Sequence, residues 1–135
     1  SPDYTPLLKK NIIKKKFSLG FQNEKINFKS VKIRHGKIFA LGYVFKNIAY
    51  ISDCSSVSEK NIKDLANLNT LIIDCLRFKA HYSHLNFDEV IKLVNILKPK
   101  KTILTNMHID LDYEYLKKKA PKYICPGYDG MKIYA

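Results

Sequence analysis

Four histidines, His35, His81, His84 and His108, fall where apolar, strand-like runs give way to polar or glycine-bearing segments. Asp53 does the same, just after the run Ile48 to Ile51 in "NIAYISDCSSVSEKNI", and Asp74 lies inside a second apolar run, "TLIIDCL". Neutral imidazole and carboxylate together suit zinc, manganese or iron, and a carboxylate can bridge two ions and lower the pKa of a shared water. One histidine at a strand end is more often an ordinary polar loop residue. The joint placement of four with an aspartate is what points to a metal site, because loops at one rim of a sheet can bring distant residues together.

The elements that must position these groups follow from periodicity. "VKIRHG" and "KIFALGYVFK" read as strands joined at Gly36, since β-branched and aromatic residues dominate and a glycine punctuates them. "NIAYISD" is a third strand after a tight turn at Lys46 and Asn47, which completes a meander. The period then changes. "SEKNIKDLANL" spaces Ile62, Leu65 and Ala66 as a helix with Ser58 at its N-cap, and "TLIIDCL" is a strand buried on both faces. "NFDEVIKLVNILK" is the clearest helix, with Asn86 and Glu89 in capping-box spacing and Val90, Leu93, Val94 and Leu97 along one face. "KKTILTNM" is a short strand, "DYEYLKKKA" a short helix, and "YICPGYDGMKIY" adds strand material around a turn at Tyr128 and Asp129. "SPDYTPLL", with two prolines, reads as an extended lead-in. The order predicts a layered α/β fold with mixed sheet pairing and helices over at least one face.

At 135 residues, residues 1–135 form a single unit, and 46% hydrophobic with 27% charged content excludes a disordered chain. The net charge of +12 admits a phosphorylated substrate or nucleic acid, although lysine runs such as "KKNIIKKK" and "LKKKAPK" also read as solvated faces. Three cysteines without CxxC spacing point to free thiols in a reducing cytoplasm rather than to disulfides or a zinc knuckle. No apolar run reaches the roughly 20 residues of a membrane span.

Three segments, "RHGKIFALGYVFKNIAYISDCS", "HYSHLNFDEVIKLVNILKPKKTILTNMHIDLDY" and "YDGMKIY", resemble the carboxy-terminal half of a metallo-β-lactamase superfamily hydrolase, in a match running from Tyr4 to the chain end. The branch they resemble contains the cyclic-phosphate phosphodiesterase of the carbon-phosphorus lyase pathway, with the tRNA 3′-processing endonuclease a more distant relative. The resemblance implies the second half of an αββα sandwich and a phosphodiesterase using two divalent ions, zinc or manganese, to activate a hydroxide against a small cyclic or nucleotide-like phosphodiester. Carried over by position, it makes His35, Asp53 and His108 metal ligands, with Asp53 bridging. It makes His84, in "SHLN", the residue that contacts the substrate phosphate or protonates the leaving group.

The pattern also departs from that family. The tRNA-processing branch has its late histidine directly after "LT", where this chain has Asn106, so Asn106 is an alternative neighbour of the metal and His108 lies two residues further on. The superfamily's H-x-H-x-D-H cluster is absent from the sequence. Together with the lack of an initiator methionine, this leads to the expectation that the chain is part of a longer protein. Alone it would then be inactive and would associate with the other half or a second copy. His81 reads as a loop or supporting residue, and Asp110 and Asp112 orient His108 or cap the next helix. The rival functions are a basic nucleic-acid-binding module and a structural relative that has lost catalysis.

Overall fold

The computed structural model describes residues 7–135, so residues 1–6 of the expected lead-in lie outside the described residues. Seven strands form one sheet in chain order: β1 (Lys16–Phe21), β2 (Glu24–His35), β3 (Ile38–Phe45), β4 (Ile48–Ile51), β5 (Thr70–Asp74), β6 (Lys101–Thr105) and β7 (Ile124–Pro126). The first four pair antiparallel, and β4 to β7 pair parallel through crossovers carrying α1 (Glu59–Leu65), α2 (Phe87–Leu97) and α3 (Tyr113–Lys119). This is the mixed α/β layering expected from the element order.

Hairpin chemistry explains the meander. β1 turns into β2 through Gln22 and Asn23, both with positive φ, which is the two-residue turn that matches strand twist. Gly36, at φ 59°, turns β2 into β3, and Lys46, at φ 49°, turns β3 into β4. β1, the strand not expected from the sequence, pairs only with residues 24–29 of β2.

The helices pack on one face. Val31, Ile33, Ala49, Ile51, Leu71, Ile73 and Leu104 from the strands share a single buried cluster with Leu65 of α1, Val90, Val94 and Leu97 of α2, and Leu116 of α3. The opposite face carries the cross-strand row Tyr43, Tyr50, Ile72, Ile103 and Cys125. Among the described residues no helix covers that row, and Phe39, Leu41 and Tyr50 remain 48%, 44% and 40% exposed.

α2 keeps its expected capping box: the Glu89 amide donates to the Asn86 side chain, and the Asn86 amide donates to the Glu89 carboxylate, each at 2.9 Å. Lys98, in the left-handed conformation, ends the helix before Pro99. At α1, Ser58 occupies the N-cap position without a side-chain cap bond. The last expected strand shortens to Ile124–Pro126, and residues 128–131 form the expected turn, with the Met131 amide donating to the Tyr128 carbonyl.

Candidate metal and hydrolytic site

Topology accounts for the clustering. Because β2 runs antiparallel to β3 and β3 antiparallel to β4, β2 points the same way as β4 and the parallel strands that follow. The carboxyl ends of β2, β4, β5 and β6 therefore share one rim, where ligands bind in open α/β sheets. His35 closes β2, Asp53 lies two residues beyond the end of β4, Asp74 closes β5, and Asn106 follows β6 in a left-handed conformation. His84 arrives from the loop between β5 and α2. That loop doubles back, with Leu76 N–H donating to the Leu85 carbonyl and Arg77 bridging to Asn86.

Among the described residues, His35, Asp53 and His84 each offer a ligand atom within 4.8 Å of the other two. The donor chemistry fits a divalent ion, which takes imidazole nitrogen and carboxylate oxygen at about 2.0–2.2 Å. Hydrogen bonds set the tautomers. His35 Nδ1 lies 2.7 Å from the Ser83 carbonyl, which can only accept, so Nδ1 carries the proton and Nε2 keeps a lone pair. His84 Nδ1 lies 2.7 Å from Asp74 Oδ2, giving the same outcome. Such partners behind an imidazole fix its orientation and raise its basicity. The Ser52 hydroxyl donates to Asp53 Oδ2 at 2.8 Å, leaving Oδ1 without a hydrogen-bond partner among the described residues.

Asp74 anchors this arrangement. Its side chain is fully buried, and three donors converge on it: the Cys54 amide at 2.9 Å, His84 Nδ1 at 2.7 Å and Asn106 Nδ2 at 3.1 Å. Burial raises the Asp74 pKa, and the three hydrogen bonds oppose that rise. Since Asn106 donates to Asp74, its 3.3 Å approach to His84 Nδ1 is donor against donor and carries no bond. The sequence marked Asp74 only as a carboxylate inside an apolar run. The available signal was that a buried carboxylate requires donors.

The remaining expected residues lie outside the three-donor group. His108 is half exposed, its backbone amide tied to the Leu76 carbonyl and its Nδ1 3.2 Å from Asp110 Oδ2. Asp112 caps α3, accepting from the Tyr115 amide at 2.6 Å, as its capping expectation required. His81 lies against Tyr82, the rings tilted by 32°, and has its ring centroid 5.3 Å from that of His84. Loss of hydration, followed by the charges of Arg77 and His84, holds the His81 imidazole below its ordinary pKa. Cys54 and Cys75 are buried, which pushes each thiol up to about 12 and leaves neither as a nucleophile near neutrality.

Comparison with known proteins adds to this geometry. The family model described as "Beta-lactamase superfamily domain" matches residues 5–109. A curated octanoyltransferase from Porphyromonas gingivalis (strain ATCC BAA-308 / W83) is 29% identical over 131 residues, covering 95% of this chain and 26% of that protein. The crystal structure of a diphosphatase of the PhnP family is 30% identical, with a TM-score of 0.79 over 87% of this chain and 45% of its own. Human tRNase Z, short form, is 18% identical, with a TM-score of 0.62 over 87% of this chain and 46% of its own, a likeness of fold. The chain thus spans about a quarter of the curated relative and just under half of these two solved structures.

Proposed function

The chain belongs to the metallo-β-lactamase superfamily, and from that premise we propose that its rim cluster is part of the site of a metal-dependent phosphodiesterase. The observation that carries the reading is the convergence of His35, Asp53 and His84 at the rim, with the buried Asp74 carboxylate behind His84. Superfamily members are metal-dependent hydrolases. The PhnP-family diphosphatase supports hydrolysis at phosphorus, and the proposed substrate is a small cyclic or nucleotide-like phosphodiester.

In this reading His35, through Nε2, and Asp53, through the oxygen that Ser52 leaves free, would hold divalent ions, zinc or manganese, two in the intact protein. Such ions supply electrophilic polarisation of phosphoryl oxygens and lower the pKa of a nucleophilic water. His84 works on the opposite side of the reaction. Protonated on both nitrogens, it would give its Nε2 proton to the departing oxygen while its Nδ1–H stays on the ring and keeps donating to Asp74, whose negative charge stabilises the imidazolium. The sequence resemblance also makes His108 a ligand. Its position against Asp110, outside the three-donor group, makes His108 the residue whose removal discriminates between ligand sets.

Acyl transfer, the activity named for the Porphyromonas gingivalis relative, is not proposed for this cluster: the neighbouring thiol of Cys54 is buried and fully protonated. The exposed aromatic face of the sheet is proposed to receive the other half of the domain, or a second copy where that half is missing. All three cysteines are free, which supports a reducing, cytoplasmic setting. Among the described residues, no helix is long and apolar enough to cross a membrane.

The test is hydrolysis of a chromogenic phosphodiester by the protein at its natural length. Activity removed by a chelator, restored by zinc or manganese and lost in Asp53→Ala supports the proposal. Unchanged turnover in Asp53→Ala with full metal occupancy overturns it.

A further inference from the structure

Ser83 stands between two of the histidines and presents a different group to each. Its carbonyl accepts from His35 Nδ1 at 2.7 Å. Its amide and hydroxyl lie 3.4 and 3.2 Å from His81 Nδ1. The amide can only donate, so His81 Nδ1 must be the acceptor and the His81 proton resides on Nε2. One buried residue therefore holds His35 and His81 in opposite tautomers. His35 adopts the form with a free Nε2 lone pair, and His81 the form with a free Nε2–H.

Packing makes the arrangement rigid. Ser83 is only 5% exposed, and a Cβ placed on Gly36 would come within 3.0 Å of the Ser83 Cβ, so the β2–β3 turn seats directly on it. The His35 and His81 rings flank His84, with centroids 4.6 and 5.3 Å from it. Arg77, in the same loop, donates from its guanidinium to the Ala80 carbonyl at 2.9 Å, tying down the stretch that leads into His81.

We propose that Ser83 is a positioning residue that sorts these two imidazoles, and that His81 is thereby the neutral N–H donor of the site, binding an oxygen of an anionic phosphoryl group. The donor role rests on the phosphodiesterase reading; the tautomer assignment does not. A metal-site histidine must offer a lone pair, whereas a residue that recognises a phosphoryl oxygen must offer a hydrogen. Ser83 supplies the acceptor needed for the first and the donors needed for the second.

The tautomers are read from side-chain nitrogen resonances of the histidines, recorded on the chain above neutral pH. The expected result is His35 protonated on Nδ1 and His81 on Nε2; finding both in the same tautomer overturns the sorting role. The donor role is tested by titrating inorganic phosphate into the protein at its natural length. Saturable movement of the His81 Nε2 resonance is expected, with affinity falling about tenfold in His81→Phe, as for loss of one charge-assisted hydrogen bond. Ser83→Ala should weaken phosphate binding in the same direction while leaving the His35 tautomer intact, and Ser83→Thr should restore it. Phosphate affinity unchanged in both His81→Phe and Ser83→Ala overturns the donor role. Failure of the phosphodiesterase reading is distinguishable, because it removes chelator-sensitive hydrolysis and leaves the tautomer pattern unchanged.

Discussion

Replacing Asp74 separates its structural task from its chemical one. In Asp74→Ala the Cys54 amide, on a residue with no solvent exposure, loses its acceptor, and such an unpaired buried donor costs about 1–3 kcal/mol. His84 Nδ1, on a side chain 16% exposed, loses a second partner worth about 1–2 kcal/mol, while exposed Asn106 re-bonds to water. Removing a buried carboxylate returns part of that sum, so the net loss is about 2–4 kcal/mol, a large share of the roughly 5–15 kcal/mol that holds a domain together.

Asp74→Asn behaves differently. One amide oxygen can still accept from Cys54 and His84, and the new NH₂ meets Asn106, whose exposed amide is free to flip and present its oxygen. The expected stability loss is about 1 kcal/mol. The negative charge behind His84 is gone in both variants, so both should lower phosphodiester turnover by about 10²–10⁴-fold, in line with loss of the carboxylate from a histidine dyad. The pH dependence has a definite sign. Burial raises the folded-state pKa of Asp74, so its contribution is present below the ordinary aspartate pKa of about 3.9 and is lost as pH rises through the higher folded value. Asp74→Asn removes that acid-range dependence. Urea unfolding followed by circular dichroism, run against pH, reads the stabilities, and hydrolysis of a chromogenic phosphodiester by the protein at its natural length reads the turnover. Equal stability in the alanine variant and the parent, or full turnover in the asparagine variant, refutes the reasoning.

Three further outcomes follow from single contacts. Asn86→Ala removes one arm of the α2 capping box and should lower stability by about 1 kcal/mol in urea melts. Gly127→Ala puts a Cβ 2.8 Å from the Leu104 carbonyl oxygen, so β7 must shift; a loss of about 1–3 kcal/mol and a lower thermal midpoint are expected. Burial and then the Asp74 charge raise the Cys75 thiol to about 12, so its contribution is full below about pH 8.5 and fades as pH climbs toward 12. At pH 8 a thiol reagent should reach the half-buried Cys125 in the folded chain and Cys75 only on unfolding.

Much of the fold was legible because its signals are local. The α2 cap, the buried β5 run and the meander each appear in a few consecutive residues, and the element-edge placement of His35, Asp53 and the loop residue His84 matches their grouping at one rim. β1 escaped notice because "KFSLGF" is largely exposed, so burial does not impose a clean alternation, and its turn uses Gln22 and Asn23 rather than glycine. Asp74 and Ser83 were illegible for a different reason. Their roles depend on a loop folding back on itself, so a carboxylate meets a histidine ten residues later and a carbonyl meets another 48 residues earlier. His108 shows the limit of register by motif. Two residues separate it from the "LT" pair, and with its Nδ1 3.2 Å from Asp110 Oδ2 the motif alone does not decide between a ligand and a neighbour of the site.

The most direct test is the zinc or manganese affinity of the protein at its natural length, measured by calorimetric titration for the parent, Asp53→Ala and His108→Ala. The metal site proposed at the rim predicts a loss of at least about 10–100-fold in Asp53→Ala and near-parent affinity in His108→Ala. Parent-like affinity in Asp53→Ala, or a loss in His108→Ala as large as that expected for Asp53→Ala, would contradict it.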